Sequence, residues 1–96
     1  MGGLGVIALI KPQFEAGRKD VSRGDGVIRD PTIHKQVLRD VLGFAQGQGF
    51  LVRGLIRSPL LGPKGNVEFL VWLSAATAAA GSVDINLFVE SVLPKS

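Results

Sequence analysis

The stretch Val67–Leu73, with the sequence VEFLVWL, decides the architecture of this chain. Its apolar side chains occupy both odd and even positions, which point to opposite faces of a sheet. This is typical of a strand that has neighbours on both sides and cover on both faces. Glu68 is the only charged residue in it. We therefore predict a central strand whose carboxylate has a partner close by, because an unpaired buried carboxylate is costly.

Two further strands are predicted beside this one. Phe50–Arg57 (FLVRGLIR) carries Arg53 and Arg57 at the same parity, which suits an edge strand better than a central one. Val6–Ile10 is continuously apolar, the pattern of a strand covered on both faces. Pro12 should end its pairing, because proline has no N–H to donate to a ladder. Residues 12–29 are then expected to form a long loop.

A helix is predicted between the first two strands. Asp30 is placed to cap it and Pro31 to occupy its first position, while Gly47 or Gly49 can supply a left-handed cap at its end. Apolar residues recur along it at helical spacing, and its buried stripe is expected to comprise Ile33, Val37, Leu38, Val41, Leu42, Phe44 and Ala45.

A last helix is expected to follow the third strand, capped by Ser82. Its buried face should comprise Ile85, Phe88, Val89 and Val92. The element order is then β-loop-α-β-β-α, an α/β fold. A crossover through a helix makes the first two strands parallel, and the third, which follows a short turn, should return antiparallel. Because the second strand carries arginines and the third does not, we predict the strand order 1-3-2.

Lys11 and Glu68 meet in this arrangement. Lys11 lies at the carboxyl end of the first strand, and Glu68 lies near the start of a third strand that runs the opposite way. Both therefore lie at the edge of the sheet where open α/β folds bind ligands. A catalytic pair and a structural ion pair fit these residues equally well. Both predict that the Lys11 nitrogen lies within about 4 Å of a Glu68 oxygen or is joined to it through one water.

The other candidate residues carry weaker signals. His34 is the only histidine, and we expect a surface or capping role because no cysteine or carboxylate cluster accompanies it. Gly62–Gly65 (GPKG) lacks a complete phosphate-loop pattern, so a tight turn is expected. Basic residues that either face RNA or are simply solvated are Arg18, Lys19, Arg23, Arg29 and Lys64.

Length and composition set the class of protein. The 96 residues make one domain at most, and 46% hydrophobic content excludes a disordered chain. The net charge of +3 permits an anionic partner without indicating one. The absence of cysteine excludes a disulfide framework and is consistent with a reducing cytosol. Neither a secretory signal nor a membrane-spanning run is recognisable, so we expect a soluble, cytoplasmic protein.

Three blocks of the sequence together resemble one known family. ALIKPQFEAG (8–17), GVIRDPTIH (26–34) and SPLLGPKGNVEFL (58–70) closely resemble the carboxyl-terminal half of the methyltransferase domain in the hemolysin-like TlyA family. Members of that family are S-adenosylmethionine-dependent ribosomal RNA 2′-O-methyltransferases related to the FtsJ type. The resemblance covers about residues 5–73, and its specific part is the combination of KPQFE with GPKGN-x-E.

The resemblance implies roles for the pair at the sheet edge. The family uses a Lys-Asp-Lys-Glu tetrad to methylate a ribose 2′-hydroxyl, with Lys11 matching the second lysine and Glu68 the glutamate. It implies that the lysine deprotonates or orients the hydroxyl and that Glu68 holds the lysine. In-line attack would take the methyl group from the sulfonium.

The resemblance also implies parts that belong before residue 1: the cofactor-binding strand with its glycine motif, the first lysine, the aspartate and an RNA-binding S4 domain. We therefore expect residues 1–96 to be a partial FtsJ-like domain, a carboxyl-terminal fragment that is inactive alone and does not bind S-adenosylmethionine tightly. Ribosomal RNA or a ribosomal subunit would be its partner in the full-length protein, with no membrane partner. The open edge of the first strand predicts a homo-oligomer. The alternatives are a non-catalytic RNA-binding or interaction module and a membrane-lytic protein, which only the hemolysin label suggests.

Overall fold

The structure, a computed structural model, describes residues 5–16, 27–75 and 84–94. The strands and helices of this part are β1 (Gly5–Ile10), α1 (Pro12–Glu15), α2 (Pro31–Gly47), β2 (Phe50–Arg57), β3 (Phe69–Ala75) and α3 (Ile85–Val92). A short 3-10 turn, Pro63–Gly65, lies between β2 and β3, as the glycines of GPKG predict.

The three strands form one sheet in the order β1-β3-β2, with β3 antiparallel to both neighbours. β1 and β2 are therefore parallel, and the predicted order and directions are confirmed. β3 begins at Phe69 and ends at Ala75, so the predicted bounds of Val67 and Leu73 are each wrong by two residues. The Glu68 carbonyl nonetheless accepts a hydrogen bond of 2.8 Å from the Ser58 N–H, which extends the pairing with β2 by one step.

The core lies between the sheet and the helices. Phe69, Val71 and Leu73 alternate along β3 toward α2 and α3, and they are buried. The other buried members of this cluster come from every major element: Ile10, Val37, Leu38, Leu42, Ala45, Val52, Leu55 and Val89. A fully buried leucine or phenylalanine contributes about 1.5–3 kcal/mol, so this layer supplies most of the driving force for folding.

The opposite face of the sheet is open in the described part of the chain. Ile7 is 64% exposed and Trp72 is 45% exposed, although they are cross-strand partners in the middle of the β1–β3 ladder. The expectation that β1 is covered on both faces is therefore wrong. The reason is that, within the described residues, β1 has one neighbouring strand, β3, and the helices α2 and α3 pack against β2 on the other face.

α2 begins as the sequence predicts. The Asp30 carboxylate accepts a hydrogen bond of 2.8 Å from the Thr32 N–H, and Pro31 occupies the first helical position. Gly49, at φ 93°, takes the left-handed conformation just after the helix. Phe44 is 70% exposed, so its assignment to the buried stripe is wrong. It lies at the border of the stripe, where no part of the sheet covers it.

α3 and α1 differ from expectation at their starts. Asp84 caps α3 by accepting a hydrogen bond of 3.0 Å from the Asn86 N–H, whereas Ser82 lies outside the described residues. The predicted buried face of α3 is confirmed, with Val89 fully buried and the other three partly buried. Pro12–Glu15, expected as loop, form the helical turn α1 because Pro12 is preset for a first helical position. No helix in the described part of the chain is long and apolar enough to cross a membrane.

A β-bulge in β2 changes the positions of its arginines. The register with β3 shifts between Val52 and Gly54, and the extra residue breaks the alternation of side chains. Arg53 lies over the ring of Trp72, at 5.4 Å from its centroid, on the open face. Arg57 is opposite Phe69 and so belongs to the helix-covered face. The two arginines, equal in sequence parity, are thus separated.

Candidate functional site

Lys11 and Glu68 lie side by side at one edge of the sheet. Ile10 of β1 pairs with Phe69 of β3, which brings the residue after β1 next to the residue before β3. Lys11 Nζ is 3.9 Å from Glu68 Oε2. This confirms the predicted placement, and it leaves open whether the pair is catalytic or structural.

The two members of the pair differ in exposure. The Glu68 side chain is only 6% exposed, whereas that of Lys11 is 39% exposed. The Lys11 ammonium also lies 5.7 Å from the centroid of the Phe14 ring, a cation–π contact. The carboxylate is therefore fixed inside the protein, and the ammonium is the group that a ligand can reach.

Gln13 is a member of this site that the sequence reasoning missed. Its Nε2 donates a hydrogen bond of 2.7 Å to Glu68 Oε2, and both residues are buried. Oε1 of Gln13 has no hydrogen-bond partner among the described residues. The reverse orientation of the amide would place Oε1 against Oε2 of Glu68, two acceptors that repel each other, so Nε2 faces the carboxylate. The sequence feature that could have indicated Gln13 is Pro12, because proline favours the start of a helical turn. A turn that starts there brings Gln13 back toward the neighbouring strand.

Gly62 gives the Glu68 carboxylate its space. A Cβ built on Gly62 would overlap Oε2 and Cδ of Glu68, so a larger residue would displace the carboxylate. The surrounding groove has a volume of about 500 Å³. Its lining includes Leu9, Lys11, Ser58, Gly62, Glu68 and Leu70. The groove is thus large enough for a sugar or a base, with an ammonium in its wall.

The described residues do not fit S-adenosylmethionine as a complete pocket. Such a nucleotide-like cofactor needs a glycine-rich turn between a strand and a helix, and a carboxylate for its ribose hydroxyls. In this structure β1 is followed by Lys11 and Pro12, and β2 by Ser58 and Pro59. These strand ends offer a proline turn rather than a glycine turn. Nor do the described ranges bring three potential His, Asp or Glu metal ligands together.

A surface or capping role was predicted for His34, but the residue lies inside the protein and Asp30 caps α2. His34 is 4% exposed, its Nε2 donates a hydrogen bond of 2.8 Å to the Ile28 carbonyl, and its ring meets Phe69 edge to face. Burial is the main cause of a lowered pKa of His34. The hydrogen bond to the Ile28 carbonyl opposes it, the Arg57 charge lowers the pKa further, and the smallest effect, that of Asp30, raises it. The signal was its position one helical turn before Leu38, on the buried stripe.

The candidate RNA-contacting residues fall into two groups. Arg29 and Lys64 are exposed and line a common cavity together with Arg57. Arg18, Lys19 and Arg23 lie outside the described residues. The structure therefore brings together Arg29 and Lys64, which are 35 positions apart in the chain, and adds Arg57 to them.

Comparisons with known proteins show the family of this chain. The model of the FtsJ-like methyltransferase family matches residues 3–75. The chain is 45% identical over 71 residues to YqxC of Bacillus subtilis, which is named as an rRNA methyltransferase. It is 41% identical over 75 residues to the 16S/23S rRNA (cytidine-2′-O)-methyltransferase TlyA of Mycobacterium tuberculosis. These alignments cover 74% and 78% of the chain but 25% and 28% of the relatives.

A solved structure shows the same arrangement of elements. A hemolysin-named protein from Streptococcus thermophilus superposes with a TM-score of 0.81 at 41% identity, over 96% of this chain and 32% of its own. The chain thus spans about a quarter to a third of the length of these three proteins. Because the family model covers the whole sheet and the Lys11–Glu68 edge, the chain belongs to the FtsJ-like methyltransferase family.

Proposed function

We propose that this chain carries the substrate-side catalytic pair of a ribosomal RNA ribose 2′-O-methyltransferase, in which Lys11 acts on the ribose hydroxyl. The observation that supports this is the reachable ammonium of Lys11 beside the buried carboxylate of Glu68, at 3.9 Å. The names of the relatives support ribosomal RNA as the substrate. The activity belongs to a longer protein, since the chain spans about a quarter of those relatives.

Lys11 and Glu68 would have different roles because they differ in exposure. Lys11 reaches the groove, where its nitrogen orients a 2′-hydroxyl as a donor or takes its proton as a neutral amine. Glu68, fixed by Gln13 and by its packing against Gly62, holds the nitrogen in place. S-adenosylmethionine supplies the methyl group when bound. Its pocket is assigned to the remainder of the longer protein, because the described residues do not form one.

Partners and location follow from this assignment. A ribosomal RNA substrate, free or within a ribosomal subunit, would place the action in the cytoplasm. The RNA backbone would be contacted by the basic residues named above: Arg18, Lys19, Arg23, Arg29 and Lys64. A non-catalytic interaction module is the alternative. The hemolysin name of some relatives is a label that fits the lytic alternative without supporting it further.

The test is a substitution in the full-length protein that contains this chain. Lys11→Ala should abolish methyl transfer to RNA while leaving the affinity for S-adenosylmethionine nearly unchanged, because the ammonium acts on the hydroxyl. Lys35→Ala is the control, since it removes the same charge from α2 away from the groove. Radiolabelled methyl incorporation and calorimetry measure the two quantities. Normal methylation by Lys11→Ala would make the pair a structural ion pair.

A further inference from the structure

A second cavity shares a wall with the Lys11 groove. It has a volume of about 240 Å³, and its lining includes Arg29, Pro31, His34, Arg57, Lys64 and Gly65. The 3-10 turn Pro63–Gly65 forms the shared wall, because Gly62 and Pro63 line the Lys11 groove while Lys64 and Gly65 line this cavity. We call it the basic groove.

The basic groove is lined by positively charged side chains. Arg29, Arg57 and Lys64 line it, and the N-terminus of α2 at Pro31 adds the positive end of a 17-residue helix. Asp30, which lies between Arg29 and Pro31 in the chain, uses its carboxylate to cap α2. Burial keeps His34 in its neutral form near pH 7 by lowering its pKa. Among the described residues that line the groove, the three that carry a formal charge near pH 7 are thus all cations.

Buried hydrogen bonds hold the groove in shape. The side chain of Asn66, which is buried, donates through Nδ2 to the Pro63 carbonyl at 2.9 Å. Its Oδ1 accepts from the Ile28 N–H at 2.9 Å. One side chain therefore ties the turn that carries Lys64 to the segment that carries Arg29. Lys64 itself has φ 59° and ψ 18°, a left-handed conformation that residues other than glycine seldom adopt.

We propose that the basic groove binds a phosphodiester group of the RNA, next to the ribose that Lys11 acts on. The choice of RNA as the bound polyanion rests on the function proposed above. Guanidinium groups suit phosphate because they donate in a planar fork, and phosphate contacts position a nucleic acid without reading its sequence. The RNA phosphate in the basic groove and Lys11 would therefore lie on opposite sides of the turn Pro63–Gly65.

The bulge in β2 supplies a matched pair of variants. Arg57→Ala removes a cation from the basic groove, and Arg53→Ala removes the same charge from the same strand on the opposite face, over Trp72. A fluorescein-labelled single-stranded oligoribonucleotide is titrated with the 96-residue chain, and anisotropy is followed as salt is varied. Circular dichroism confirms that each variant is folded, and Arg57→Gln repeats the test with less loss of packing.

Arg57→Ala and Lys64→Ala should each weaken binding several-fold at low salt and reduce the slope of log K against log salt by about 0.7, the value for one phosphate contact on a single strand. Arg53→Ala should leave both quantities unchanged. Equal losses of RNA affinity for Arg53→Ala and Arg57→Ala would overturn the proposal that the basic groove binds RNA. They would not affect the proposal for Lys11. Absence of RNA binding, or displacement of the RNA by about 1 mM inorganic phosphate, would also overturn the proposal for the basic groove. Methylation by Lys11→Ala is measured separately and bears only on the proposed function.

Discussion

At the scale of single residues, Gln13 is the least obvious part of the site. Its amide donates 2.7 Å to the buried Glu68 carboxylate, so Gln13→Ala leaves a buried charge short of one hydrogen bond. We expect the free energy of unfolding of the chain to fall by about 1–3 kcal/mol, measured by urea denaturation. Gln36 offers a matched control, because its Nε2 donates 2.8 Å to Asp40 in an exposed pair. Gln36→Ala should change stability by less than about 0.5 kcal/mol. Equal effects of the two variants would mean that Glu68 is well solvated and does not depend on Gln13.

At the scale of elements, the junction of α2 with the segment before it depends on a neutral histidine. His34 is buried and donates to the Ile28 carbonyl, and burial lowers its pKa in the folded state. In the unfolded chain His34 has a pKa of about 6.5. The imidazole therefore binds a proton more readily in the unfolded chain than in the folded one. Stability should be level above about pH 7 and should fall as pH drops through about 6.5 toward the lower folded value. Thermal unfolding from pH 8 to 5 measures this, with His34→Gln as the control that should lose the dependence in this window. A stability that is flat or rises on acidification would show that the imidazole accepts a proton in place.

At the scale of the whole molecule, the open face of the sheet predicts self-association. Ile7, Leu9, Ile56 and Trp72 are exposed together on this face, and β1 pairs on one side only within the described residues. Such a face and edge recruit another chain. We expect sedimentation equilibrium of the 96-residue chain to show a dimer or larger species at tens of micromolar, and Ile7→Lys to shift it toward monomer. Phe44→Lys is the control, since Phe44 is similarly exposed (70%, against 64% for Ile7) but lies on α2. A clean monomer of the unmodified chain at high concentration would contradict this prediction.

The sequence by itself determined the parts of this protein that depend on near neighbours. The apolar parities of residues 67–73 and the arginines of residues 50–57 predicted the strand order, and with it the meeting of Lys11 and Glu68. Asp30 and Pro31 predicted the start of α2. These features are readable because strand alternation, capping and proline stereochemistry act over a few residues.

Only the tertiary structure decided the exposure of several side chains and the contacts that no local pattern predicted. His34 is buried and Phe44 exposed because the sheet passes under one and not the other, and β1 is exposed because the helices pack on the opposite face. A single extra residue in β2 separated Arg53 from Arg57. The bond from Gln13 to Glu68 joins residues that are 55 positions apart. Burial and such contacts depend on segments brought together by folding, and local periodicity carries no record of them.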